Sequence, residues 1–203
     1  MNKNNELLKK TIEQVQACKH CIENLPFGAR PVLQVGRSAK ILIAGQAPGS
    51  KVHATGIPFN DPSGDRLRQW MGVDKAQFYD ANKIAILPMG FCYPGKGKSG
   101  DLPPRKECAE LWRNQLLELM PQVELTLVIG QYAIAWHLPE AKKKSLTDKE
   151  SLTNTVKDWK THWPSQLPLP HPSPPNNIWL KKNDWFEDEV IPSLQQRIKS
   201  LLI

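Results

Sequence analysis

No stretch of this 203-residue chain approaches the ~20 consecutive apolar residues that a helix needs to span a bilayer. No membrane partner is therefore expected. The opening segment, MNKNNELLKK, has no apolar signal region, so secretion is not expected and a cytoplasmic location follows by default. Internal repeats are absent, and no composition shift marks a second domain. Residues 1–203 therefore read as a single domain, long enough for a full core. Cysteine is scarce, with four in all: Cys18, Cys21, Cys92 and Cys108. In a chain read as cytoplasmic, a C-x2-C pair plus two more points to metal or redox chemistry rather than disulfides. Acidic residues are the minority, 20 against 27 Lys and Arg, for a net charge of +7. That balance permits a polyanionic partner such as nucleic acid without requiring one. Lys142–Lys144 reads as a solvated turn.

What the chain does have is alternation. Short apolar runs at 40–44, 84–87, 125–129 and 167–170 have strand character. Helical spacing appears over 5–17, 107–120 (Leu111, Leu116, Leu119 and Met120 inward), 131–138, about 151–159 and 184–202. Another helix starts near Asp61–Gly64, with Ser63 as its N-cap. Strands alternating with helices predict an α/β fold: three layers, α/β/α, around a central, mainly parallel four-stranded sheet. Loops 45–65, 88–104 and 171–182 each follow a strand, so a parallel sheet would gather them at one edge, where such folds bind ligands. The 88–104 loop is long for a compact domain and reads as functional or metal-braced.

Those loops carry the motifs. Gly45-Gln46-Ala47-Pro48-Gly49 resembles the first motif of the uracil-DNA glycosylase superfamily, closest to its family 4 form. Thr55-Gly56-Ile57-Pro58-Phe59 is similar to the TGxPF segment, and His171-Pro172-Ser173-Pro174 to the second motif. The cysteine pattern, with Cys92 and Cys108 sixteen apart, is like the iron–sulfur ligand set of family 4. The resemblance runs in order over about residues 18–190. It implies removal of a deaminated base from DNA, at the nucleoid, by a monomer.

What the resemblance implies for single residues stands beside what each could do in a plain fold. His171 would donate to the base oxygen as negative charge grows there; otherwise it is a loop histidine satisfied by backbone groups. Family 1 enzymes carry a water-activating Asp where this chain has Ala47. Asp61-Pro62-Ser63-Gly64-Asp65 resembles the D-x-SGD segment of family 5, so Asp61 is the expected catalytic carboxylate. The plain alternative for either Asp is a helix cap, with Asp65 the better fit to a cap or to an ion pair with Arg68. Phe59 would stack on the base, or simply pack in the core. Gly45, Gln46 and Ala47 would offer backbone N–H groups, and His53 would touch base or phosphate. Where family 4 has a base-reading Asn, this chain has Pro88, which has no amide to read a uracil edge. Strict uracil specificity is therefore not expected, and hypoxanthine, xanthine and oxidised pyrimidines stay open as substrates.

Cys18, Cys21, Cys92 and Cys108 would hold a [4Fe–4S] cluster, with zinc or buried free thiols as the alternatives. Ser173, Lys181 and Lys182 would meet phosphates, and Ile178, Trp179 or Leu180 would fill the gap left by the extruded base. The alternative for Trp179 is packing on the C-terminal helix. No lysine is placed as a Schiff-base nucleophile, so the expected enzyme is monofunctional. The competing readings are a non-catalytic module for damaged or single-stranded DNA and a hydrolase of small nucleosides.

Overall fold

A computed structural model describes residues 3–98, 100–138 and 149–203. Lys142–Lys144, read above as a turn, lie outside the described residues. In chain order the helices are α1 (Lys3–Gln16), α2 (Ser50–Thr55), α3 (Pro62–Met71), α4 (Lys75–Phe78), α5 (Lys106–Cys108), α6 (Asn114–Glu118), α7 (Gly130–His137), α8 (Lys149–Lys157), α9 (Asn177–Lys182) and α10 (Ile191–Leu202). The strands are β1 (Ile41–Ala44), β2 (Ile84–Ile86), β3 (Lys96–Gly97), β4 (Gly100–Asp101), β5 (Leu125–Ile129) and β6 (Gln166–Leu169). Among the described residues no helix is long and apolar enough to cross a membrane.

Four strands make one sheet, in the order β2-β1-β5-β6, with every neighbouring pair parallel. Alternation along each strand divides the core. Ile41, Ile43, Ile84, Ile86, Leu125, Leu127, Ile129, Leu167 and Leu169 face one layer, with Leu67 and Trp70 of α3 and Leu194 and Ile198 of α10. Leu42, Ala85 and Leu87 face the other, with Leu8 and Val15 of α1 and Leu116 of α6. Val128 packs there too, against Ala133 and Ile134 of α7. Both faces are covered, which is why the strands read as unbroken apolar runs. Pro168 sits in β6, an edge strand, where a missing N–H is tolerated. At the opposite edge Gln34 covers β2: its backbone bridges Ile86, and its amide donates to the carbonyls of Phe78 and Ile84.

The structure departs from the sequence reading at several points, including a π-helical turn over Phe186–Val190 inside the helix read as 184–202. The 45–65 loop contains α2, bracketed by Gly49 as N-cap and by Gly56 in the left-handed conformation. The 88–104 loop folds into the antiparallel β3–β4 hairpin. The N-cap of α3 is Asp61, not Ser63, which is buried as the second residue of the helix. The helix read as 107–120 is interrupted by a π-helical turn, Ala109–Arg113. That turn leaves Leu111 39 % exposed and brings Arg113, fully buried, inward in its place.

Arg113 holds the end of β2. Its Nη1 donates to the carbonyls of Leu87 and Pro88 at 2.8 and 2.9 Å, and its Nη2 donates to His137 Nε2 at 2.6 Å. These bonds satisfy carbonyls that the strand leaves open as it turns into its loop. His137 must stay neutral to accept, and its pKa is pushed down to about 3 by burial and by the Arg113 charge.

The sign of the resulting pH dependence is fixed. As pH falls from the ordinary 6.5 toward 3, the unfolded chain gains a proton that the folded ring refuses. Stability is therefore lost through that window, by at most ~1.4 kcal/mol per pH unit from this group. Urea midpoints measured from pH 7 to pH 4 should fall less steeply in His137→Gln than in the wild type; parallel slopes would show that the ring is not buried neutral.

Candidate active site

Beyond the carboxyl ends of β1, β2 and β6 lies a cavity of about 510 Å³. The strand order reverses beside β1, so this is the crevice where an open parallel sheet takes its ligand. Gly45–Gly49 form one wall, Pro88 another, and His171 and Ser173 a third. Phe59 and Asp61 close it from the turn ahead of α3. The hairpin contributes Gly100 and Asp101.

The Gly45–Gly49 wall is a backbone cradle. The carbonyls of Gly45 and Gln46 accept from Met89 and Gly90 at 2.8 and 2.9 Å, which locks the loop onto the one following β2. The N–H groups of Gln46 and Ala47 have no partner among the described residues. The Gln46 amide donates to the Leu102 carbonyl at 3.1 Å, tying the cradle to the end of the hairpin.

The turn that presents Phe59 is strained and clamped. Phe59 has φ 54°, a left-handed conformation that costs a residue with a side chain of order 1 kcal/mol. Its carbonyl lies against Gly64, where a Cβ would sit 1.8 Å away. Tyr79 donates its hydroxyl to the Pro58 carbonyl at 3.1 Å. Arg68, 6 % exposed, reaches back toward the Phe59 carbonyl and pairs with Asp65 at 2.6 Å. The Phe59 ring meets Phe78 edge to face at 6.2 Å and stays half-exposed toward the cavity.

Asp61 does two things. Its Oδ1 accepts from the Gly64 N–H at 3.0 Å, capping α3. The side chain also lines the cavity, and among the described residues Oδ2 takes no hydrogen bond. Asp65 is the ion-pair partner of Arg68 and is turned away from the cavity lining. From the same helix Arg66 donates to the carbonyls of Pro172 and Ser173 at 3.2 and 3.3 Å.

His171 is fixed by its own loop. Ser173 N–H donates to its Nδ1 at 3.2 Å, and the Asn176 amide donates to its carbonyl at 2.7 Å. Burial lowers its pKa, and the Asp61 and Asp101 carboxylates work in the opposite direction. A neutral ring accepting at Nδ1 carries its proton on Nε2, so His171 is a hydrogen-bond donor at neutral pH.

Some expected residues sit elsewhere. His53 is on α2, outside the cavity lining, with its ring 6.2 Å from Phe27 and 5.9 Å from Tyr93. Trp179 is on α9 and packs edge to face on Trp185 and Phe186, with its Nε1 donating to Thr153 at 2.8 Å. Leu180 is also packed against the core, which leaves Ile178, 68 % exposed, as the apolar side chain that α9 presents to water. Lys181 and Lys182 end α9 and are exposed.

Two polar residues escaped the sequence reading. Asp101 lines the cavity and accepts from the Tyr93 hydroxyl at 3.4 Å. Arg66 ties α3 to the His171 loop. The Gly95-Lys-Gly-Lys spacing before Gly100 is a hairpin signal that would have placed Asp101. No pattern in the sequence marks Arg66.

Cys18, Cys21, Cys92 and Cys108 line one small apolar cavity between α1, the loop after β2 and α5. Among the described residues no group of three or more His, Cys, Asp or Glu is already gathered at metal-ligand spacing. By chemistry alone, four free cysteines around one cavity are a donor set of the kind a thiolate-bound group uses. Burial raises the Cys92 and Cys108 thiols to about 11 and about 12, and the neighbouring cysteines add to this. As free thiols they stay protonated; a metal cation reverses that preference.

Residues 33–195 match the family described as Uracil DNA glycosylase superfamily. The match takes in the whole cavity lining except Val32 and begins after the Cys18–Cys21 pair.

The double use of Asp61 can be separated. Asp61→Ala loses the cap and should cost about 1 kcal/mol of stability. Asp61→Asn keeps an acceptor for Gly64 N–H and should fold within about half that cost of the wild type. Chemical denaturation of both variants checks this; equal losses would show that Asp61 does not cap α3.

Proposed function

Because the chain belongs to the uracil-DNA glycosylase superfamily, we propose that it hydrolyses the N-glycosidic bond of a deaminated base in DNA, leaving an abasic site. Uracil is the first substrate, with hypoxanthine and xanthine as the alternatives. The observation that carries the reading is the convergence of the Gly45–Gly49 cradle, Phe59, Asp61 and His171 on one cavity with room for an extruded base.

A target base must leave the stack to be cut. The Phe59 ring would take its face. The N–H groups of Gln46 and Ala47 and the Nε2–H of His171 would meet its oxygens as negative charge grows on them. The Oδ2 of Asp61 would position water and offset the positive charge that develops on the sugar. Water then adds to the sugar carbon as the bond to the base nitrogen breaks, and the water's second proton passes to Asp61 or solvent. No lysine lines the cavity among the described residues, which suits a monofunctional hydrolase.

Pro88 lines the cavity and offers no amide, and the Gln46 amide is engaged by Leu102. Asp101 would supply the missing acceptor for a base N–H. Uracil and hypoxanthine both carry such a group, so this contact does not choose between them. Ser173, Lys181 and Lys182 would meet phosphates, and Ile178, rather than Trp179 or Leu180, would enter the gap in the stack.

Cys18, Cys21, Cys92 and Cys108 would hold a [4Fe–4S] cluster, with zinc as the alternative. Such a group would supply a structural cross-link among α1, the loop after β2 and α5. On this reading the chain is nearest in type to family 4, with a family 5-like Asp61 segment. It would act as a one-domain monomer at the nucleoid.

The test is strand scission after alkali on oligonucleotides carrying uracil, hypoxanthine or xanthine, both single-stranded and paired. Scission is expected, with Asp61→Asn and His171→Ala each slower by roughly 10²-fold or more. Tight binding without scission of any of the three would make the protein a non-catalytic DNA module. An unchanged rate in Asp61→Asn would move the water-positioning role elsewhere.

The cysteine corner has a separate readout. Anaerobically purified protein should be brown and contain iron and sulfide. A colourless protein with stoichiometric zinc would reject the iron–sulfur assignment.

A further inference from the structure

Beside the cavity stands an aromatic group that the hydrolysis does not use. Phe27 keeps 61 % of its surface in water. Its ring lies nearly parallel to that of buried Tyr93, with centroids 5.3 Å and planes 27° apart. The His53 ring flanks both. One face of Phe27 is therefore backed and the other is open. The segment is also held in place: Pro26 packs against Gly95, where a Cβ would come within 2.9 Å of it, and the Gly28 N–H donates to the Leu25 carbonyl at 2.9 Å.

Two more observations say what the open face is for. The first is charge. Arg30 donates to the carbonyls of His53 and Ala54 at 2.7 and 2.9 Å, which holds an exposed guanidinium at the C-terminal end of α2, where His53 sits. Lys96, exposed, follows Gly95, against which Pro26 packs. The second is continuity. Tyr93, on which Phe27 rests, donates its hydroxyl to Asp101, and Asp101 lines the cavity.

We propose that Phe27, backed by Tyr93 and His53, is a stacking platform for an unpaired DNA base next to the nucleotide held in the cavity, with Arg30 and Lys96 against the adjoining phosphates. The platform offers a π-face amid positive charge, the pairing by which proteins hold single strands regardless of sequence. In a duplex the neighbouring base stays paired to its partner strand and stacked on its far side, which keeps it from swinging onto Phe27. The platform therefore favours a single-stranded substrate. This inference rests on the DNA glycosylase reading given above.

The test uses the full chain and an oligonucleotide with a tetrahydrofuran abasic analogue at the target position, as a single strand and in duplex. Fluorescence anisotropy reads affinity, and 2-aminopurine beside the analogue reads stacking. Phe27→Ala should weaken single-strand binding about tenfold, the scale of one lost base–aromatic stack, with little change on the duplex. Phe27→Trp should restore binding. The 2-aminopurine signal should be quenched by the wild type and not by Phe27→Ala. Phe27 is exposed, so the melting temperature should not move.

If the wild type binds neither form of DNA, the glycosylase reading fails and takes the platform with it. If the wild type binds and Phe27→Ala matches it on the single strand, the platform alone is overturned. Equal losses on single strand and duplex would overturn the unpaired base as its occupant.

Discussion

Helix α3 begins where there is no room for a side chain, and much of the cavity is arranged around that fact. The Phe59 carbonyl lies so close to the Cα of Gly64 that any Cβ would overlap it. The close approach lets the chain turn through a left-handed Phe59 and enter the helix two residues later at its Asp61 cap. The helix then works in both directions. Arg68 and Tyr79 hold the turn from behind, and Arg66 reaches forward to the carbonyls of Pro172 and Ser173. The stacking ring, the carboxylate and the His171 loop are thus referred to one short rigid element. A site assembled from separate loops gains accuracy when its members share such a support.

The electrostatics around His171 follow from the same packing. A histidine near two carboxylates would ordinarily gain a proton; here burial acts against them and lowers its pKa. The outcome matters chemically. A neutral ring with its Nδ1 occupied by the Ser173 N–H presents one donor proton, in one direction. It can stabilise charge that develops on a ligand without already carrying a charge of its own that would have to be desolvated. The same logic operates at Arg113 and His137 behind β2, where a buried guanidinium is kept company by a neutral acceptor and two carbonyls. One pair holds the carbonyl of Pro88, a residue of the cavity wall; the other ring lines the cavity itself.

The layers were legible because the strands are buried on both faces and bounded by polar helices. Ile41–Ala44 and Leu125–Ile129 read directly as strands, and Val190, Leu194, Ile198 and Leu201 as one helical face. Gly45–Gly49, Phe59, Asp61 and His171 were found from short motifs, and the structure brings them to one cavity. What escaped was tertiary. The cap of α3 fell to Asp61 rather than Ser63 because Pro62 occupies the first helical position, so the capping residue must precede it. The inward face of the 107–120 helix shifted because a π turn adds a residue, replacing Leu111 by Arg113. Trp179 had two readings, a wedge or a ring packed on the C-terminal segment, and the structure gives the second: it lies against Trp185 and Phe186 and donates to Thr153.

The hairpin explains how the cysteine corner and the cavity can be one device. Cys92 lies in the corner, and Tyr93, the next residue, donates to Asp101 at the cavity. The strand leaving the hairpin is caught at Leu102 by the Gln46 amide from the cradle and by the Gly95 carbonyl. From thiol to cavity wall the path is therefore a single residue and one hydrogen bond. Any cross-link that tightened Cys92 against Cys18, Cys21 and Cys108 would limit how far Tyr93 could move, and with it Asp101. The loop after β2 is too long to hold a wall by stiffness alone, and closing a loop at several points removes the freedom that length confers. On this reasoning the cysteines need no part in the chemistry to matter to it. Their contribution would be geometric, delivered to the cavity through the Tyr93 ring, and it would act on the same ring that supports Phe27.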